Sequence, residues 1–65
     1  MKSMQVKFED EIKEWKERKR VRDILEEFGL NREEVIVIKG DVLLTENEWV
    51  EVGEKVEIWK VVSGG

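Results

Sequence analysis

The sequence contains neither cysteine nor histidine, and this double absence removes most of the chemistry a small domain can carry alone. No disulfide can staple the fold, and the usual zinc ligand sets cannot be assembled. Nucleophile–base pairs of the Ser–His or Cys–His kind are equally out of reach. Ser3, Thr45 and Ser63 sit near a terminus or in a polar stretch with no recognisable base beside them, and neither a GxGxxG nor a P-loop pattern occurs. The many carboxylates have no special spacing, and a solvated face accounts for them. The chain is therefore expected not to be an enzyme, to hold no metal and to bind no cofactor of its own. The longest apolar run is Val35-Ile36-Val37-Ile38, far short of the roughly 20 residues of a membrane helix. Met1 to Gln5 lacks the apolar stretch of a signal peptide, so a soluble cytoplasmic protein with no membrane partner is expected. Proline is absent too; no Pro-rich linker divides the chain.

What is abundant is charge. Of the 65 residues, 43% are Asp, Glu, Lys or Arg, against about 25% in an ordinary domain. That bias suits a protein from a hot-growing organism, where ion-pair networks become more useful. A chain this short buries only about 60% of its unfolded surface, so stability must come from compact packing of regular elements. The formal net charge of −4 disfavours nucleic acid as the main partner and favours a basic protein surface. One stretch runs the other way. Lys16 to Arg22 holds five basic residues in seven, suited to phosphates or to a partner's acidic patch. Only Trp15 accompanies it, which gives thin support for base stacking, and a solvated strand-to-helix junction is the blander explanation.

The periodicity orders the chain. Met4, Val6 and Phe8 alternate with polar residues, as in a half-buried strand. Glu9-Asp10-Glu11 makes a turn into a second strand from Ile12 to Glu17. Its apolar residues, Ile12 and Trp15, do not share a face at period two, so a bulge or a one-sided Trp is expected. Val21, Ile24, Leu25 and Phe28 fall at i, i+3, i+4 and i+7, the stripe of an amphipathic helix, stopped by Gly29. Lys19-Arg20 offers this helix no side-chain cap. Asn31 to Glu34 has the spacing of a short capped turn. Val35 to Ile38 is β-branched throughout and reads as a strand apolar on both faces. Lys39-Gly40 turns it into Asp41 to Leu44. Thr45 to Glu48 is a polar loop, Trp49 to Val52 a short extended piece, and Val56 to Val62 the last strand after Gly53.

This order implies an α+β fold: a mixed four- to five-stranded sheet with one main helix packed across one face. It is the β-grasp (ubiquitin-like) arrangement, with the first and last strands side by side and parallel at the centre. Residues 1–62 are expected as a single domain and 63–65 as a flexible tail. On the last strand only one of the alternating sets, Trp59 with Val61 or Ile58 with Val62, can face the helix. The other set, joined by Ile36 or Ile38, would lie on the open face of the sheet, where an apolar patch marks a partner site. Gly64 and Gly65 lack side chains and can thread a channel too narrow for a Cβ. The three residues after Val62 reach roughly 10 Å at about 3.3 Å each.

The segments "VRDILEEFGLN", "EEVIVIKGDVL", "VGEKVEIWKVV" and the final "SGG" together resemble the MoaD/ThiS family of ubiquitin-like sulfur carriers, over nearly the whole chain. The departures are confined to caps and turns: Lys19-Arg20 where the family often has a Thr or Ser, Lys39-Gly40 for Asn-Gly, and Val52-Gly53-Glu54 for Asp-Gly-Asp. The resemblance implies a carrier whose Gly65 carboxylate is adenylated by a ubiquitin-activating-type adenylyltransferase using ATP. A sulfur donor such as a cysteine desulfurase then converts it to a thiocarboxylate. A sulfur-accepting synthase consumes that group in molybdopterin, thiamine or tRNA thiolation. Gly64 and Ser63 form the arm; Trp59, Val61 and Ile38 are the expected docking residues, with Glu57 and Glu54 facing a basic activating enzyme. Two rivals are a protein modifier joined to lysines through the same tail, and a β-grasp module for RNA or protein with an inert tail.

Overall fold

A computed structural model describes residues 2–61. The strands are β1 (Met4–Phe8), β2 (Glu11–Trp15), β3 (Lys19–Arg20), β4 (Val35–Lys39), β5 (Val42–Leu44), β6 (Trp49–Val50) and β7 (Lys55–Lys60), with one helix, α1 (Val21–Phe28), and a 3-10 turn over Arg32–Glu34. Five strands form one sheet in the order β2-β1-β7-β4-β5, and β3 and β6 form a separate two-stranded ribbon. The central pair, β1 and β7, is parallel, while β7 with β4, β1 with β2 and β4 with β5 are antiparallel. One helix across a mixed sheet with a parallel central pair is the α+β, β-grasp arrangement that the periodicity predicts.

Register decides what is buried. Val6 stands beside Val56 and Phe8 beside Ile58 on one side of β7, and Val37 beside Ile58 on the other. These residues therefore share one face of the sheet, and α1 covers it with Val21, Ile24 and Leu25. Met4, Val6, Ile24 and Val50 are fully buried, and among the described residues no polar or charged residue is buried with them. Phe8 and Phe28 close the end of this layer edge to face, with centroids 6.0 Å apart. The strand read as apolar on both faces, β4, is divided by the same rule: Val35 and Val37 are buried, while Ile36 and Ile38 lie on the open side.

The hairpin β1–β2 contains no bulge. Met4 pairs with Trp15 and Phe8 with Glu11 in unbroken register, so Trp15 joins the helix side, where it packs against the core. Ile12, three residues earlier, falls on the open face and is 58% exposed. Only Glu9 and Asp10 link the two strands, and Glu9 carries a φ of 55°, a conformation that favours glycine.

The helix ends differ in kind. At the C-terminus Gly29 adopts a left-handed conformation, its N–H donates to the Glu26 carbonyl, and the Leu30 N–H donates to the Leu25 carbonyl. That pair of bonds is a Schellman stop. At the N-terminus the sequence lacks a cap, and the structure supplies one from far along the chain. The Val21 and Arg22 N–H groups donate to the carbonyls of Glu48 and Glu46, at 2.9 and 3.0 Å. The β3–β6 ribbon holds those carbonyls in place, with Arg20 opposite Trp49 and Lys19 opposite Val50. The last strand ends at Lys60, earlier than the apolar run suggests, but the Val61 N–H still donates to the Glu34 carbonyl at 3.0 Å.

The two isoleucines separate core from surface. Ile24→Ala is expected to cost about 2–5 kcal/mol in denaturant unfolding, comparable with all the stability of a chain this size. Ile12→Ala should stay within about 0.5 kcal/mol of the parent. Equal costs would contradict the register. Glu9→Gly should gain about 1 kcal/mol by relieving the left-handed backbone, seen as a thermal midpoint raised by several degrees.

Candidate functional site

The face of the sheet away from α1 carries one rung that crosses all five strands: Ile12, Lys7, Glu57, Ile38 and Leu43. One step along β7, Trp59 stands opposite Ile36. Cross-strand neighbours on one face have Cβ atoms about 4.5–5.5 Å apart, so Ile36, Ile38, Leu43 and Trp59 make one apolar patch over β4, β5 and β7. Leu43 is 62% and Trp59 55% exposed. Lys7 and Glu57 divide this patch from Ile12. A shallow depression of about 380 Å³ lies over the rung, lined by Gln5, Lys7, Ile12, Ile38, Gly40 and Glu57 among others.

The structure brings together most of the residues expected to form a docking face. Trp59, Ile38 and Glu57 share the open side, and Val61 comes one residue beyond β7, 53% exposed. Glu54 stands apart. It precedes β7, seven positions before Val61 and so roughly 23 Å away at about 3.3 Å per residue. Its carboxylate accepts from the Lys39 Nζ at 2.9 Å and from the Glu51 N–H at 2.8 Å, which ties the β4–β5 turn to the loop before β7. Ser63, Gly64 and Gly65 lie outside the described residues, as does Val62.

Two open-face residues, Ile12 and Leu43, are not among the docking residues that the sequence suggests. The sequence does hold a signal for Ile12, since its phase conflict with Trp15 requires one of the two to face outwards. For Leu43 it holds none: Val42-Leu43-Leu44 reads as a plain apolar run, and only pairing with Ile38 assigns its face.

The electrostatics of this region centre on Lys39 and Glu54. The hydrogen bond from Lys39, followed by the one from the Glu51 N–H, holds the Glu54 carboxyl below the usual carboxylate range; the bond to Glu54, then its charge, raises Lys39. Among the described residues no group of three or more His, Cys, Asp or Glu side chains could hold a metal ion, and no helix is long and apolar enough to cross a membrane.

A parallel central strand pair, a single helix over one face and an open face beside the last strand define the class: a β-grasp protein. Comparison with known proteins narrows this. No protein-family model matches the chain. Over 45 residues, 69% of this chain and 69% of the relative's, it is 40% identical to sulfur carrier protein TtuB of Thermus thermophilus. The chain belongs to the MoaD/ThiS family of ubiquitin-like sulfur carrier proteins.

The carboxylate of Glu54 gives a pH prediction. Its folded value lies below its unfolded one, so its contribution is fully present above the ordinary carboxylate pKa of about 4.3 and is lost as pH falls through the folded value. Denaturant midpoints should therefore drop in acid, and Glu54→Gln should flatten that limb. An unchanged acid limb in the variant would contradict the role given to the Lys39 pair.

Proposed function

We propose that this chain carries sulfur on the carboxylate of Gly65, through adenylation and thiocarboxylation by partner enzymes. Likeness to a sulfur carrier protein over two thirds of the chain supports this most directly. The fold is suited to it, because β7 is held by β1 as far as Ile58 and by β4 as far as Lys60, and the Val61 N–H donates to the Glu34 carbonyl, so the strand is anchored up to the last described residue.

A carboxylate is a poor electrophile, so the first step transfers AMP from ATP to the Gly65 carboxylate and releases pyrophosphate. A persulfide sulfur on the donor then attacks the acyl carbon and AMP leaves, giving an acyl disulfide. A second thiol of the partner cleaves the sulfur–sulfur bond, forming a disulfide there and leaving the thiocarboxylate on Gly65. All of these groups belong to the ubiquitin-activating-type adenylyltransferase and the sulfur donor. The carrier supplies the acyl group, the narrow Gly64-Gly65 arm and a surface to dock on. Ser63 would extend that arm. A sulfur-accepting synthase for molybdopterin, thiamine or tRNA thiolation would then take the sulfur.

The docking surface in this scheme is the open face: Trp59, Ile38 and Val61, with Ile36 and Leu43 extending the patch. Glu57 lies at its centre line and can meet a basic residue of the activating enzyme. Glu54 lies at the far end of β7 and is engaged by Lys39, so in this scheme its part is to hold the β4–β5 turn. Large, half-exposed aromatic residues on a flat surface are the usual anchors of such interfaces.

Incubation with ATP, a cognate activating enzyme and a sulfur donor should give an intact mass in which one terminal oxygen is replaced by sulfur. Removing Gly64-Gly65 should abolish the change. Trp59→Glu should keep the fold, with a thermal midpoint close to the parent's, while slowing thiocarboxylation by at least tenfold, as the loss of an anchor worth about 2 kcal/mol would. Full thiocarboxylation of the truncated chain, or no adenylate with any cognate enzyme, would overturn the proposal.

A further inference from the structure

The basic stretch Lys16 to Arg22 has no part in the chemistry of the tail, yet the fold gives it a defined surface. Arg20 lies in β3 directly opposite Trp49 in β6, and Arg18, two residues earlier, shares that side of the ribbon. Both guanidinium groups lie over the Trp49 ring, with their carbons 4.1 Å (Arg18) and 4.6 Å (Arg20) from its centroid. Trp49 is nevertheless 38% exposed. Arg18 approaches Glu51 at only 3.6 Å, with both side chains more than half exposed, and Arg20 makes no ion pair among the described residues. Lys19 points to the other side, over Trp15 at 5.7 Å.

This cluster is at the end of the molecule away from Val61. Trp15, which leads into the ribbon, pairs with Met4 at the start of β1. The chain leaving β6 meets the same end, where the Gly53 N–H donates to the Ser3 carbonyl just before β7 begins. Val61 lies at the opposite end of β7, beside Glu34. A partner gripping the tail would leave the ribbon free.

We propose that Arg18, Arg20 and Trp49 form a second docking surface, for an acidic segment of a partner protein, that stays accessible while the tail is engaged. An aromatic ring beneath a guanidinium fixes its plane and leaves its N–H edge outward, so less side-chain freedom is lost when a carboxylate binds. That edge matches a carboxylate with two parallel hydrogen bonds. Trp and Arg are also the residue types that dominate interface anchors.

A nucleic acid fits less well. The guanidinium groups already cover the ring that would stack on a base. Glu17, Glu48 and Glu51 neighbour Arg18 and Trp49 in the chain and would oppose phosphates running on either side. Two arginines neutralise about two phosphates, too few to hold a polyanion at physiological salt. A discrete pair of carboxylates needs only two such edges; it takes the free edge of Arg20 and replaces the exposed Glu51 carboxylate, 3.6 Å away, at Arg18. This surface stands or falls independently of sulfur on Gly65.

The test is an NMR titration of the full chain with a short peptide carrying glutamate at alternate positions, and in parallel with a single-stranded oligouridine of equal charge. The peptide should give a saturable shift of the Trp49 indole N–H and of the Arg18–Arg20 amides while the Trp59 indole stays put. Arg18→Gln with Arg20→Gln should weaken binding about tenfold or more. If that double variant does not fold, Arg20→Gln alone should still weaken it measurably. No saturable shift at Trp49, saturation at Trp59 instead, unchanged affinity in folded variants, or tighter binding of the oligouridine at near-physiological salt would each overturn the proposal.

Discussion

The structure depends on the position of β7 between two partners, parallel to β1 and antiparallel to β4. Because side chains alternate across a strand, this double pairing fixes the face of every residue on β7. Val56 and Ile58 go into the core with Val6 and Val37, and Glu57 and Trp59 go outwards. A slip of one residue would exchange the two sets, burying a carboxylate and exposing two core residues. Such a slip is unfavourable on both counts, since an unpaired buried charge costs several kcal/mol and each fully buried Val or Ile contributes roughly 1.5–3 kcal/mol. The apolar patch on the open face and the hydrophobic core are thus two results of one register.

The same strand gives the molecule its polarity. Its last residues stand beside Glu34 and the 3-10 turn, the end from which the carrier tail would be offered. Its first residues stand beside the start of β1 and the β3–β6 ribbon, where Arg18 and Arg20 cover Trp49. A net acidic chain therefore carries an apolar face towards one end and a basic, aromatic edge at the other. In the scheme proposed above, partners supply the reacting groups and the carrier presents these two surfaces.

Much of this is legible in the sequence because it rests on short-range periodicity. The stripe Val21, Ile24, Leu25 and Phe28 specifies α1, Gly29 its stop, and the alternation in β1 its buried face, while for β7 it offers two alternating sets between which pairing with β1 and β4 decides. The register then puts Trp59 on the open face opposite Ile36, with Ile38 one rung along. The features that sequence does not reveal depend on contacts between distant segments. The missing cap before Val21 looks like a defect until the carbonyls of Glu46 and Glu48 meet it, and no local pattern announces an acceptor more than twenty residues away. Lys19-Arg20 and Trp49-Val50 read as a junction and a loose extended piece because two-residue strands have too little pattern to be seen. Glu54 looks close to the tail in the chain, yet an extended strand turns that nearness into the full length of the sheet. Its partner Lys39 is known only once the β4–β5 turn folds over the start of β7.

β7, paired with β1 on one side and β4 on the other, should be the most firmly held part of the molecule, anchored up to Val61. Native-state hydrogen exchange measures this residue by residue. The amides from Val56 to Ile58 should open only with global unfolding, and Val61 should show protection through its bond to Glu34, while β2 and β5 at the sheet edges open more readily. If β7 exchanged by local opening at a lower free energy than the edge strands, the strand would not be an anchor.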